Sequence, residues 1–170
     1  MFAFQPTRLG LLALLLLTGP SMSSTLPQRT GPVVLTVFGL DPARFQDSTV
    51  EFDVPMLESL ATAEIETSSI WTDGTHRYTG VMLATLANYL NVGDATLKFH
   101  ALNDYSIEFP AVEARNTGPL LAYEVDGELM PVRDKGPIWL IYPYDSGDEY
   151  RTDTIYSRSI WQLDRIEVLH

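Results

Sequence analysis

The chain contains no cysteine among its 170 residues. That absence excludes disulfides, thiolate metal sites, iron–sulfur clusters and cysteine nucleophiles together, so a folded state must be held by its core alone. Histidine is scarce as well. His76, His100 and His170 are far apart and do not have metal-site spacing, so no metal site is expected. His100, beside Phe99, reads as a satisfied sheet residue. Cations are few: 11 Lys and Arg face 22 Asp and Glu, for a net charge of −11. A surface of that sign repels nucleic acid phosphates and anionic lipid, which removes both as expected partners. Also missing are a Gly-x-Ser-x-Gly elbow, a phosphate-cradling glycine loop, a paired-carboxylate motif and any internal repeat. Hydrolase and nucleotide-dependent functions have no support.

What is present is 45% hydrophobic residues, enough for one cored domain. Leu9 to Leu17 is an apolar block preceded by Arg8 and followed by Thr18-Gly19-Pro20 and small residues. It is too short to span a bilayer and reads as a signal peptide over 1–23 with cleavage near Ser23, an uncleaved anchor being the rival reading. Export follows, to the periplasm in a Gram-negative host, with no membrane insertion after cleavage. No lipid-attachment cysteine is available. Residues 24–32 read as a flexible lead-in, and 33–170 as the domain.

Within the domain, Val33 to Phe38 and Thr49 to Val54 read as strands, with Asp53 and Pro55 opening a short helix through Leu60. Thr62 to Trp71 alternates as a strand that turns at Asp73-Gly74. Met82, Leu83, Leu86, Tyr89 and Leu90 recur at helical spacing, predicting a helix over Gly80 to Asn91. Thr96 to Ala101 and Tyr105 to Phe109 read as strands, Pro110 to Arg115 as a helical turn, Asp145 to Thr154 as a surface loop or lid, and Trp161 to Leu169 as the last strand. Strands outnumber helices, which gives an α+β fold with a mostly β core and few helices.

Pro119 to Asp145, PLLAYEVDGELMPVRDKGPIWLIYPYD, is the most informative stretch. Leu120 to Val125 alternates, Asp126-Gly127 supplies a hairpin turn, and Gly136-Pro137 turns the chain into Ile138 to Tyr142. That last run is too continuously apolar for a half-wet strand and should be central. The stretch resembles the molybdopterin-binding domain of the sulfite oxidase family, which carries a similar "LLAY…nG…GxPxRxxxP" run. Tyr78 to Leu83 is similar to the family's "w-x-G-v-x-L", Ala101 to Ile107 to its "A-x-D-G-Y", and Ser159 to Ile166 to its "vKWL-x-x-I". The order and spacing of these segments, over Val33 to Val168, make the match.

The resemblance implies a molybdenum site built from a pterin dithiolene and one protein cysteine. Here the matching neighbourhood is Ile65 to Ile70, which puts a hydroxyl, most nearly Ser68, at the ligand position. Serine is a harder and weaker donor than thiolate. The family's basic clasp is replaced too, with Trp139 where "GxPxR" has arginine and Ile160 where "vKWL" has lysine. The remaining candidates for an anion site are His76 and Arg77 with Arg133 and Lys135; their other reading is solvated loop charge paired with Asp73 and Asp134. Trp71, Tyr78, Trp139, Tyr142, Tyr144, Tyr150, Tyr156 and Trp161 either line a small-molecule pocket or fill one from which a cofactor was lost. Trp139 and Trp161 are its first residues to inspect.

Three functions fit. The first is a cofactor-free ligand-binding or sensing module whose partner is a small molecule or a membrane-bound signalling or redox protein. The second is a molybdopterin oxidoreductase with serine or water in place of the cysteine. The third is a scaffold subunit of a redox complex.

Overall fold

The computed structural model describes residues 27–170, so the expected signal peptide and the start of the lead-in lie outside the described residues. The strands are β1 (Leu35–Phe38), β2 (Thr49–Phe52), β3 (Thr62–Ser69), β4 (Thr72–Met82), β5 (Thr96–Ala101), β6 (Ser106–Pro110), β7 (Leu120–Val125), β8 (Glu128–Leu129), β9 (Trp139–Ile141) and β10 (Leu163–Leu169). The helices are α1 (Val54–Leu60), α2 (Leu83–Leu90), α3 (Ala114–Thr117) and α4 (Asp153–Arg158). The fold is α+β and mostly sheet, as the strand-rich pattern predicts.

One sheet runs β2-β1-β10-β5-β6, with β1 and β10 parallel and the other pairs antiparallel. Along β5, Leu97, Phe99 and Ala101 point inward and are buried while Thr96, Lys98 and His100 are not, the period of two that a one-sided sheet needs. Helix α2 lays Leu83, Leu86 and Leu90 against Val37, Leu97 and Ile166, leaving a void of only about 10 Å³. The second sheet runs β3-β4-β7-β8, and β9 also pairs with β7.

Four local readings are corrected. The helix begins at Leu83 because Gly80 to Met82 still belong to β4. Gly80 lies so close to β7 that a Cβ there would collide with the Leu121 carbonyl, and Tyr123 of β7 is skipped in the pairing opposite it. Asp73-Gly74 is not the turn: Ile70-Trp71 turns the hairpin, and the two residues form a bulge between the pairs Ser68–Thr75 and Ser69–Thr72, Gly74 taking φ +77. Strand β9 is at the edge of its ladder, not central. It is fully buried because the chain at 160–163 covers its free edge, Leu140 N donating to Ile160 O (2.9 Å) and Leu163 N to Ile138 O (3.0 Å). The segment expected as a loop or lid folds into short 3-10 turns at Tyr144–Ser146 and Asp148–Tyr150, which run into α4. Arg151 ties it down through Tyr144 O (2.8 Å) and Asp145 Oδ1 (2.7 Å).

Asp53 caps α1 as its position predicts, Oδ1 accepting from Met56 N at 3.0 Å. Its other oxygen accepts from Thr30 N and Gly31 N at 2.7 Å each, so the lead-in ends at a fixed point. Burial pushes this carboxyl up, but the amides of Thr30, Gly31 and Met56 outweigh it and hold it below the usual carboxylate range. A lowered value means stability present above about pH 4 and lost as pH falls through the folded-state value. Asp53→Asn is therefore expected to lower the urea midpoint near neutrality, with the gap to the native chain closing toward about pH 3. A gap that stays constant over this range would show that the charge contributes nothing.

Candidate functional site

Three connections from different parts of the chain meet at the junction of the two sheets. The β3–β4 turn brings Trp71, the β5–β6 turn brings Asn103 and Tyr105, and the chain from α4 to β10 brings Tyr156 to Trp161. Trp71 is the hub. Its ring centroid lies 5.9 Å from Trp139, 6.2 Å from Tyr144, 5.6 Å from Tyr156 and 5.7 Å from Trp161, every pair edge to face. Tyr78 packs on Trp139 at 5.6 Å and Tyr142 on Tyr144 at 6.4 Å, so the expected aromatic group is one connected tier, with Tyr150 packed on the core but outside the ring pairs.

Between Trp71, Tyr105, Tyr156 and Trp161 is an open cavity of about 260 Å³, floored by Ser159 and Ile160. Neither a cation nor a carboxylate lines it. Tyr105 and Trp161 stand at its mouth, 48% and 38% exposed. Tyr105 is held by its hydroxyl, which donates to Ser157 O at 3.2 Å, and by its amide, which donates to Asn103 Oδ1 at 3.2 Å.

Ser159 is the buried polar centre of the floor. Its hydroxyl accepts from Tyr144 Oη at 2.6 Å and donates to Ile155 O at 2.8 Å, and its carbonyl accepts from Trp139 Nε1 at 3.1 Å. Burial pushes the Tyr144 phenol well above its ordinary value, so it remains a donor.

The seven residues singled out from sequence do not form one site. Trp161 lines the cavity, whereas Trp139 is buried beneath Trp71 and does not reach the wall. Ser68 is clamped to Asp145, its amide donating to Oδ2 at 2.6 Å and its hydroxyl to Oδ1 at 2.8 Å, while Arg151 holds the same carboxylate. The Ser68 amide, then its hydroxyl and Arg151, hold Asp145 below the usual carboxylate range despite partial burial. His76 and Arg77 lie on β4 in a separate polar cleft with Glu64, Glu66, Glu124 and Asp126. Neither Arg133 nor Lys135 lines that cleft; Arg133 is exposed, and Lys135 sits over the Trp139 ring at 5.3 Å and 3.3 Å from Asp134.

His76 has an acceptor at each ring nitrogen, Asp126 Oδ2 at 2.6 Å from Nδ1 and Asp73 O at 2.9 Å from Nε2. Only the imidazolium can donate to both. The Asp126 hydrogen bond raises the His76 value against the opposing effect of burial, and the same bond, with the Arg77 amide, lowers that of Asp126.

Cysteine-free and without a basic wall, the site does not suit an anionic pterin holding a soft metal. The Ser68 hydroxyl already directs its proton to a carboxylate. Among the described residues no group of three or more His, Asp or Glu could hold a metal ion.

No family model and no curated protein matches the chain. Among solved structures it is similar to the sulfane dehydrogenase SoxCD from Paracoccus pantotrophus, with a TM-score of 0.53 and 14% identity over 81% of this chain. The chain spans 38% of the length of that neighbour. At this identity the likeness shows the fold, an α+β fold of the sulfite oxidase type.

Sequence reading missed Tyr105, Ser157, Ser159 and Asn103 as site residues. Ala101 to Ile107 was recognisable as a strand-turn-strand motif, and a tyrosine at its exposed tip was the available signal. Two outcomes follow. Ser159→Ala leaves the Tyr144 hydroxyl buried without its acceptor and is expected to cost about 1–3 kcal/mol in urea unfolding, with Ser159→Thr closer to native. His76, raised, contributes stability that is full below its unfolded value and lost as pH rises through the folded one. The native chain should therefore exceed His76→Ala by more at about pH 5.5 than at about pH 8.5; equal gaps would show that the imidazolium contributes nothing.

Proposed function

We propose that this protein is an exported binding module that uses the sulfite oxidase-type fold without its metal cofactor and takes a small ligand in the cavity between Trp71 and Trp161. The observation that supports the reading is the cavity itself: aromatic walls on three separate connections, hydrogen-bonded in place over a fully satisfied floor. At about 260 Å³ the cavity lies just below the ~300–1,000 Å³ usual for drug-sized ligands, so the ligand is small.

The chemistry is recognition. The side chains lining the cavity include no nucleophile paired with a histidine or carboxylate base, and the serine in its floor donates to a backbone carbonyl. A bound ligand would bridge the β3–β4 turn to the α4–β10 segment, and the tethered 144–151 turns lie against the same aromatic tier. Occupancy would thereby alter the surface offered to a partner, which we take to be a membrane-bound signalling or redox protein.

Two measurements test this. Elemental analysis for molybdenum, with fluorescent pterin release, on protein from its native compartment is expected to find neither. Stoichiometric metal would replace this reading with that of an oxidoreductase in which serine or water takes the place of the cysteine ligand. A thermal-shift screen of small neutral and charged organic molecules on the full chain is expected to find stabilising ligands whose effect Trp71→Ala removes; ligands unaffected by that change would place binding elsewhere.

A further inference from the structure

The walls of the cavity narrow the ligand class by exclusion. Anions find no lysine or arginine there. A primary ammonium arrives with three N–H donors and needs acceptors of its own, yet no carboxylate lines the cavity. The Ser159 hydroxyl already accepts from Tyr144 and donates to Ile155, and its carbonyl accepts from Trp139. Leaving such donors unpaired in an aromatic pocket is unfavourable. Asn103 Oδ1 is engaged by the Tyr105 amide and the Ser157 hydroxyl donates to Thr154 O, so the wall favours a ligand that asks for little hydrogen bonding, an apolar neutral molecule or a cation whose charge is spread over methyl groups.

Charge separates these two. The protein carries a net charge of −11, so its field concentrates cations around it and does nothing for a neutral solute. Trp71, Trp161, Tyr105 and Tyr156 supply two indoles and two phenols at one opening. Trp71 stands at 87° to Tyr156 and 72° to Trp161, so adjoining walls are close to perpendicular, as in an aromatic box. Trp139 in the same tier already receives a cation, Lys135 lying 5.3 Å from its ring centre without lining the cavity. We infer that the cavity is an aromatic cage for a quaternary ammonium group. This rests on the reading of the cavity as a ligand site and names the class of ligand.

The attraction is electrostatic, between the cation and the electron-rich ring faces, and rings are best where they are already desolvated by one another. Trp71 is packed on four partners, which fixes it without ligand. Trp161 and Tyr105, the exposed pair, would cover the headgroup last.

Choline and its uncharged isostere 3,3-dimethyl-1-butanol test this by isothermal titration calorimetry on the full chain. Choline is expected to bind at least about fivefold tighter than the isostere, the discrimination a partly exposed cation–π site provides. Trp161→Leu keeps an apolar wall but removes the ring, so it should weaken choline about threefold or more, and by a clearly larger factor than it weakens the isostere. Tyr105→Leu, at a second exposed position, should act the same way, and circular dichroism of both variants confirms folding. Equal affinity for the two probes would overturn the cage while leaving a small-molecule site in place. Absence of binding by either probe would overturn the cage as well, and the thermal-shift screen then decides separately whether the cavity is a ligand site. Choline binding that neither substitution weakens would also overturn it.

Discussion

The fold depends on a short seam, 159–163, that holds the two sheets together through backbone hydrogen bonds. Ile160 O receives Leu140 N of β9, Leu163 N donates to Ile138 O, Gln162 N to Lys135 O, and Leu102 N from the β5–β6 turn to Gln162 O. One extended strip thus satisfies the edge of β9 in one sheet and a turn of the other, and then becomes β10 at the middle of the first sheet. Buried backbone groups must find partners, so the position of this strip leaves little freedom to its neighbours. Gln162 takes φ +51 within it and anchors its own side chain on Val132 O at 2.7 Å.

The aromatic tier follows from that constraint. The seam sets Ser159 and Trp161 on either side of Ile160. Ser159 receives the buried indole N–H of Trp139 and the phenol of Tyr144, while Trp161 turns outward to the cavity. The polar atoms of Trp139 and Tyr144 are thus used inside the seam, and their ring faces remain for packing. Where the resembled family is expected to place a cation, Ile160 is buried at 3% exposure.

Much of the fold was legible in the sequence because its signals are local. The capping of α1 by Asp53, the Asp126-Gly127 hairpin, the Leu83-Leu86-Leu90 stripe and the alternation in β5 each follow from a few neighbouring residues. The misread points are those set by distant partners. Gly80 looked like the start of a helix because its reason, the approach of Leu121, lies on another strand. Ile138 to Tyr142 looked central because burial was legible but the element providing it, a backbone strip rather than a paired strand, was not. The same holds for the site. The aromatic residues could be named from composition and position, but their convergence on Trp71, and the removal of His76, Arg77 and Ser68 to other surroundings, depend on pairings between segments far apart in the chain.

The bulge behind Trp71 has a meaning for how such a pocket can change over generations. It adds two residues, Asp73 and Gly74, to one arm of the β3–β4 hairpin. Because side chains alternate with a period of two, an even insertion leaves every residue of β4 on the face it would otherwise occupy. The hairpin tip can therefore be lengthened or shortened in pairs, carrying its tryptophan nearer to or farther from the opposite wall, while the buried phenol of Tyr78 stays where the core requires it. The size of the chamber is in this way separable from the integrity of the sheet, and descendants of one scaffold can retune the first without disturbing the second.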